Sequence, residues 1–265
     1  MTLSQALDFG QEVEVLSDLL QSMPQDQWAH PTQFKQWTVN DIVRHLHFWN
    51  EAADWSVRDP QALQQRLALF RAAAQRGEGM RVLEGHFVQA SGPELHALWL
   101  SFARDMAARW QALDPRQRVD WAGPPMSVRS SITARQMETW AHGQAIFDLC
   151  GLERPESARL RNIVVLGVNT FGWSHQVRGW EVPDVPPRVE LTGPDGEDWH
   201  FGEPGQTNLI RGSALAFAQV VTQTRNLSDT GLLVEGEVAS RWMRHAQCFA
   251  GKAETPPAPG ERHKA

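Results

Sequence analysis

Tyrosine is missing from all 265 residues and cysteine occurs only twice, whereas tryptophan occurs 12 times. Without a phenol, no tyrosine can act as general acid or oxyanion donor. Cys150 and Cys248 stand far apart in the chain, so neither a disulfide framework nor a CxxC metal clip is available. Any bound metal must therefore be held by imidazole and carboxylate. Long hydrophobic runs are also missing. No stretch approaches the ~20 apolar residues of a membrane helix, and the opening MTLSQALDFGQEVEVLSDLL has no basic leader before an apolar run. A cytoplasmic protein without a membrane partner is expected. The formal charge of −6, with acidic and basic residues interspersed, leaves no basic patch to neutralise a phosphate backbone, which argues against nucleic acid. A GxSxG elbow, a phosphate-binding GxxxxGK(S/T) and a strand-borne GxGxxG are absent too.

What remains is an ordinary globular balance of 42% hydrophobic and 21% charged residues. Leu3, Leu7, Val13, Leu16, Leu19 and Leu20 recur at helical spacing and predict a first amphipathic helix ending near Pro24. After a loop through HPTQFKQ, WTVND carries a helix start: Thr38 as cap, with Asp41 as the acidic member of a capping-box-like pair. Residues 59 to 77 form an outer helix by their wide polar face, and ELHALWLSFARDMAARWQAL a long one. METWAHGQAIFD continues the helical series to Cys150 and Gly151.

Beyond GLERPESARL the pattern changes, which makes that stretch the boundary. A helical segment around residues 162 to 173 precedes RVELTGPDGEDWHFG, whose alternation about Pro-Asp-Gly predicts a hairpin. A strand in TNLIRGS, a helix in SALAFAQVVTQTRN, a strand in GLLVEG and a closing helix in EVASRWMRHAQCFAG complete an α+β half. The domains are expected at 1–152 and 158–251, with a proline-rich, polar and disordered tail at 252–265.

Within METWAHGQAIFD, Glu138 and His142 lie four apart on one helix face and can converge on a small ion. By spacing alone the pair reads first as a salt-bridged or hydrogen-bonded couple on a half-buried helix face, and only second as part of a metal site. A third ligand must come from elsewhere, and His45 in RHLHFWN shares a stripe with Asp41 and Trp49. Two imidazoles and a carboxylate would leave coordination positions open, as in catalytic zinc sites. His47 points to a different side, His30, His86, His96, His200 and His263 are expected in solvent, His175 and His245 packed among Trp and Arg, and the cysteines as small core residues.

WTVNDIVRHL, METWAHGQAIFDLCG and DWHFG with TNLIRGSALAFAQVV together resemble the mycothiol-dependent maleylpyruvate isomerase-like proteins of the DinB-like superfamily. The resemblance covers most of the chain. It implies an α plus α+β protein, with a DinB-like four-helix bundle followed by a small domain similar to sterol carrier proteins. It also implies a metal held by His45, Glu138 and His142, zinc by default, with nickel, iron or manganese suited to the same donors. Asp41 is the expected partner fixing an imidazole tautomer, ahead of Gln144 and Asp148. Arg225, in QTRNLSD, matches an arginine that holds an anionic substrate in the relatives, the alternative being a surface charge at a helix end. The implied function is a divalent-metal-dependent enzyme activating a low-molecular-weight thiol or water for isomerisation, addition or transfer on a small carboxylate or acyl substrate. Its rival is a non-catalytic binding protein for an apolar or acyl ligand. A small-molecule substrate is the expected partner, and a homodimer is the assembly considered.

Overall fold

A computed structural model describes residues 2–264, which divide into two compact units, Met1–Ile146 and Phe147–Ala265. The first is helical. Its elements are α1 (Ser4–Gln21), α2 (Val39–Arg58), α3 (Pro60–Gln75), α4 (Met80–Phe87), α5 (Gly92–Trp110) and most of α6 (Val128–Leu149). A two-stranded ribbon of β1 (Arg118–Val119) and β2 (Met126–Ser127) lies between α5 and α6.

α1 buries Ala6, Phe9, Val13, Leu16 and Leu20, while Leu7 turns outward. It packs on α5, as does α2. The start of α2 is fixed as its sequence predicts: Asp41 N–H donates to Thr38 Oγ1 at 3.1 Å, and Thr38 N–H donates to Asp41 Oδ2 at 3.0 Å. Such caps contribute about 1 kcal/mol. α3 opens on Pro60, with Asp59 capping Ala62 N–H at 3.0 Å. α4 lies in a stretch that periodicity left unassigned. It packs on both α2 and α3, and it buries Leu83 and Glu84.

The second unit contains α7 (Leu160–Asn169), α8 (Phe171–Gln176), α9 (Ala214–Val221) and α10 (Glu237–Met243). Its sheet has the order β4 (Asp198–Phe201), β3 (Arg188–Thr192), β5 (Leu209–Ser213), β6 (Leu233–Glu235). β3 and β4 form the expected hairpin, but β5 runs parallel to β3, and β6 closes antiparallel on β5. α9 crosses between β5 and β6 and packs on α7. Gly167 permits that approach, because a Cβ there would meet Val221 Cγ2 at 2.8 Å.

Two expectations need correction. The closing helix stops at Met243 rather than running to Gly251. Downstream, Cys248 N–H donates to the Val221 carbonyl at 3.0 Å and Gln247 N–H to Ser174 Oγ at 3.1 Å, so tertiary partners replace helical ones. Residues 252–264 of the tail are also held in place rather than disordered. Glu254 N–H donates to Gln247 Oε1, Asn226 Nδ2 to the Pro257 carbonyl and Arg262 Nη1 to the Gln223 carbonyl. Pro257 is buried by these contacts.

No helix among the described residues is long and apolar enough to cross a membrane.

Candidate metal centre

α6 presents Glu138 and His142 one turn apart, and α2 brings His45 to them. His142 Nε2 lies 3.1 Å from Glu138 Oε2, and His45 Nε2 lies 3.9 Å from the same oxygen. One donor atom from each of the three falls within 4.8 Å of the others, the only such group of three among the described residues. Donors about 2.1 Å from a tetrahedral ion stand roughly 3.4 Å apart, so small side-chain adjustments suffice to close these three around one ion. The side chains are 10–20% exposed, which leaves the cluster reachable but largely desolvated.

His45 is oriented by a group the sequence did not reveal. Its Nδ1 lies 2.8 Å from Oε1 of Glu84, and Trp49 Nε1–H donates to the same oxygen at 2.9 Å. Glu84 is 1% exposed, a burial that a carboxylate tolerates only when well partnered. With Nδ1 committed to Glu84, Nε2 is the atom left to face Glu138 and His142. Carboxylate-oriented imidazoles of this kind are a recurrent feature of metal sites. Asp41, expected in this role, is instead used by the helix cap and by Arg44 and Arg81. The clue in the sequence is a lone Glu beside Leu83 in MRVLEGHF, too short a segment for periodicity to settle.

Aromatic rings wall the cluster. Trp37 stacks on His142 with an interplanar angle of 6°, and Phe34 meets the same ring edge-on at 4.9 Å between centroids. Trp37 also meets His45 at 5.2 Å. The loop carrying both rings closes on itself: Thr32 N–H donates to the Trp37 carbonyl at 2.7 Å, and Trp37 N–H to the Phe34 carbonyl at 2.9 Å. Its reversal forces Lys35 and Gln36 to φ of 51° and 57°. Left-handed backbone costs roughly 1–2 kcal/mol per non-glycine residue.

The charges are strongly coupled. Burial by itself would depress the His45 pKa, but Glu84 and Glu138 outweigh it and raise the value to about 9. Burial opposes ionisation of Glu138 as well. Hydrogen bonds from His142 and His45, then the charges of His142 and Arg135, nevertheless hold its carboxyl well below the usual range. His142 is pushed down, chiefly by burial. Without an ion, the cluster at neutral pH is an imidazolium, a carboxylate and a neutral imidazole.

Arg225 lies in the second unit. Its Nη1 and Nη2 donate to Asp148 Oδ2 and Oδ1 at 2.8 and 2.6 Å, a forked pair, and Nη1 also donates to the Thr224 carbonyl. The pair is mostly buried, so Arg225 is no loose surface charge. Asp148 thus holds Arg225 rather than an imidazole. Of the other residues weighed, His175 is buried beside Phe171, His245 meets Trp180, and Cys248 is buried.

Similarity to known proteins accords with this architecture. The family model described as "Mycothiol maleylpyruvate isomerase N-terminal domain" matches residues 9–147. Two uncharacterised proteins from two strains of Mycobacterium tuberculosis, MT0041 and Rv0036c, are each 35% identical over 252 residues, 92% of this chain and 94% of theirs. A crystal structure of the mycothiol-dependent maleylpyruvate isomerase superposes with a TM-score of 0.55 at 12% identity, covering 88% of this chain and 93% of that one. A histidine-to-alanine mutant of that enzyme gives 0.53 at 14% identity over the same shares. At such identities the likeness establishes the fold: a DinB-like helical region followed by a small sheet domain. With the family model spanning more than half of its length, the chain belongs to the mycothiol maleylpyruvate isomerase N-terminal domain family.

Proposed function

We propose that this protein is a divalent-metal-dependent enzyme whose ion is held by His45, Glu138 and His142. The observation that carries the reading is the convergence of these three donors with His45 Nδ1 already engaged by Glu84. A salt-bridged helix pair would need only Glu138 and His142; it gives no reason for a buried carboxylate to aim a third imidazole at them. The donor set suits zinc, with nickel, iron or manganese as alternatives.

When bound, such an ion supplies Lewis acidity that lowers the pKa of a coordinated thiol or water. The chain's own groups prepare the place. Glu84 holds the His45 tautomer, and Trp37, Phe34 and Trp49 limit water around the imidazoles, which strengthens every charge interaction there. The solved relatives are mycothiol-dependent, which favours a low-molecular-weight thiol as the activated group here. Thiolate addition to a conjugated double bond and its reversal would allow rotation about that bond. The substrate class is a small carboxylate or acyl compound. Arg225 is the group we assign to holding a carboxylate, which would exchange with Asp148 in the guanidinium fork.

Elemental analysis of the purified protein tests the metal. About one equivalent is expected, lost in His45→Ala and His142→Ala. Trp37 stacked on His142 also makes tryptophan fluorescence a reporter of thiol binding. Ligand variants that keep their metal would overturn the proposal, as would a fluorescence response to apolar acyl compounds that is indifferent to metal removal.

A further inference from the structure

Arg135 stands one turn before Glu138 on α6 and is 3% exposed. Burying a guanidinium is costly unless it is paired and hydrogen-bonded, yet among the described residues the one hydrogen bond its side chain makes is from Nε to Asn50 Oδ1 at 3.0 Å. Its Nη2 is buried without a hydrogen-bond partner, as is Asn50 Nδ2. Burial pushes the guanidinium pKa down, and what opposes that is the site itself, since the charges of Glu138 and then Glu84 favour the charged form. A chain needing only to tie α6 to α2 could do so with a neutral side chain at this position.

Charge balance gives the arginine a use. With both imidazoles neutral, the carboxylates of Glu138 and Glu84 balance a divalent ion, and Arg135 leaves the buried assembly one positive charge in excess. We propose, building on the metal reading above, that Arg135 is a positioning residue whose fixed charge biases the open coordination position toward an anionic ligand, a thiolate before a neutral thiol or water. It acts through the field at the ion and through its hold on Glu138. It also repels the ion itself, so its loss strengthens metal binding or leaves it unchanged while anion binding weakens.

The test uses the full-length protein loaded with cobalt(II), titrated with thiocyanate and separately with imidazole, and followed by visible absorption. For Arg135→Met, thiocyanate affinity is expected to fall about tenfold or more, imidazole affinity to stay within about twofold, and cobalt affinity not to fall. Arg135→Lys should restore most of the thiocyanate affinity. Asn50→Leu removes the acceptor but keeps the charge, so it should lower stability and retain the wild-type preference for thiocyanate. If Arg135→Met does not fold, Arg135→Lys and Asn50→Leu still decide, because loss of anion preference in both would show that packing rather than charge is at work. Equal weakening of both ligands in Arg135→Met, or no change in either, overturns the inference alone. A wild-type protein that takes up no cobalt overturns the metal reading and this inference with it.

Discussion

Replacing Glu84 with Gln should weaken metal binding at high pH and barely alter it near neutrality. Two effects of opposite sign meet at this carboxylate. In the metal-bound state Glu84 aims His45 and raises its basicity, and loss of such a partner typically costs ten- to a hundredfold in affinity, about 1.4–3 kcal/mol. In the metal-free state the same carboxylate is the foremost group holding a proton on His45, whose pKa it helps raise to about 9. That proton must leave before Nε2 can bind an ion. At pH 7, two units below the raised value, proton competition weakens wild-type affinity by about a hundredfold. Glu84→Gln relieves much of that competition, because only Glu138 remains to favour the imidazolium.

The two effects therefore nearly cancel at pH 7. Once the pH exceeds about 9, His45 is mostly neutral in both proteins, and the loss of orientation dominates. Competition titrations against a chromophoric chelator at pH 7 and pH 9.5 would measure this. The expected outcome is near parity at the lower pH and a deficit of about ten- to a hundredfold at the higher. The same fold-loss at both pH values would refute the coupling of Glu84 to the His45 proton, and no loss at either would refute its role in metal binding.

The raised pKa of His45 also predicts the pH dependence of the metal-free fold. A proton held more tightly in the native state stabilises fully below the unfolded value of 6.5, by about 3 kcal/mol, and this is lost as pH rises through about 9. Urea unfolding in excess chelator should show the decline between pH 6.5 and 10, and His45→Asn should flatten it. In the second unit, Asp148→Ala strands the mostly buried Arg225 guanidinium, at a cost of about 3–5 kcal/mol in chemical denaturation. Arg225→Lys keeps the charge but not the fork, so carboxylate ligands should bind more weakly while the fold persists. Gly167→Ala forces a Cβ against Val221 and Phe217 and should cost about 1–3 kcal/mol in thermal unfolding, unless α7 and α9 separate without penalty.

The parts of this molecule that could be read from sequence are those where one residue's role is set by neighbours three or four positions away. The Thr38–Asp41 cap and the shared face of Glu138 and His142 are of that kind, and helical geometry makes both legible. His45 required the family resemblance, because nothing local to RHLHFWN says which face α6 will meet. Glu84 escaped because a helix of eight residues offers barely two turns of periodicity, and its burial depends on contact with a helix about forty residues away. Asp41 lies one turn from His45, which by spacing points it at that imidazole. Its Oδ2 instead accepts from the Thr38 N–H and hydroxyl at the helix cap. The parallel pairing of β5 with β3 was likewise invisible, since strand order is decided by the sheet as a whole rather than by alternation within one strand. The tail's composition suggested disorder, but its order comes from a few polar anchors, which composition does not register.

The division of labour around the cluster bears on how one donor set can serve different chemistry. α2 and α6 fix the three donors, and any bundle retaining that spacing could present them. On the proposed metal reading, the ligand preference of the open position is set by groups that do not touch the ion. Here those are a buried carboxylate on α4, a buried guanidinium on α6 and the rings of the loop between α1 and α2. Each acts by a different physical route: Glu84 through the His45 tautomer and its proton, Arg135 through net charge, Phe34 and Trp37 through exclusion of water. Because field strength rises as water is excluded, the aromatic wall amplifies the two charges rather than adding an independent effect. Opening the wall by Trp37→Ala should therefore shrink the consequences of both Glu84→Gln and Arg135→Met. Such non-additivity, measured as a double-mutant cycle on thiocyanate and metal affinity, separates an electrostatic site from one assembled by packing alone.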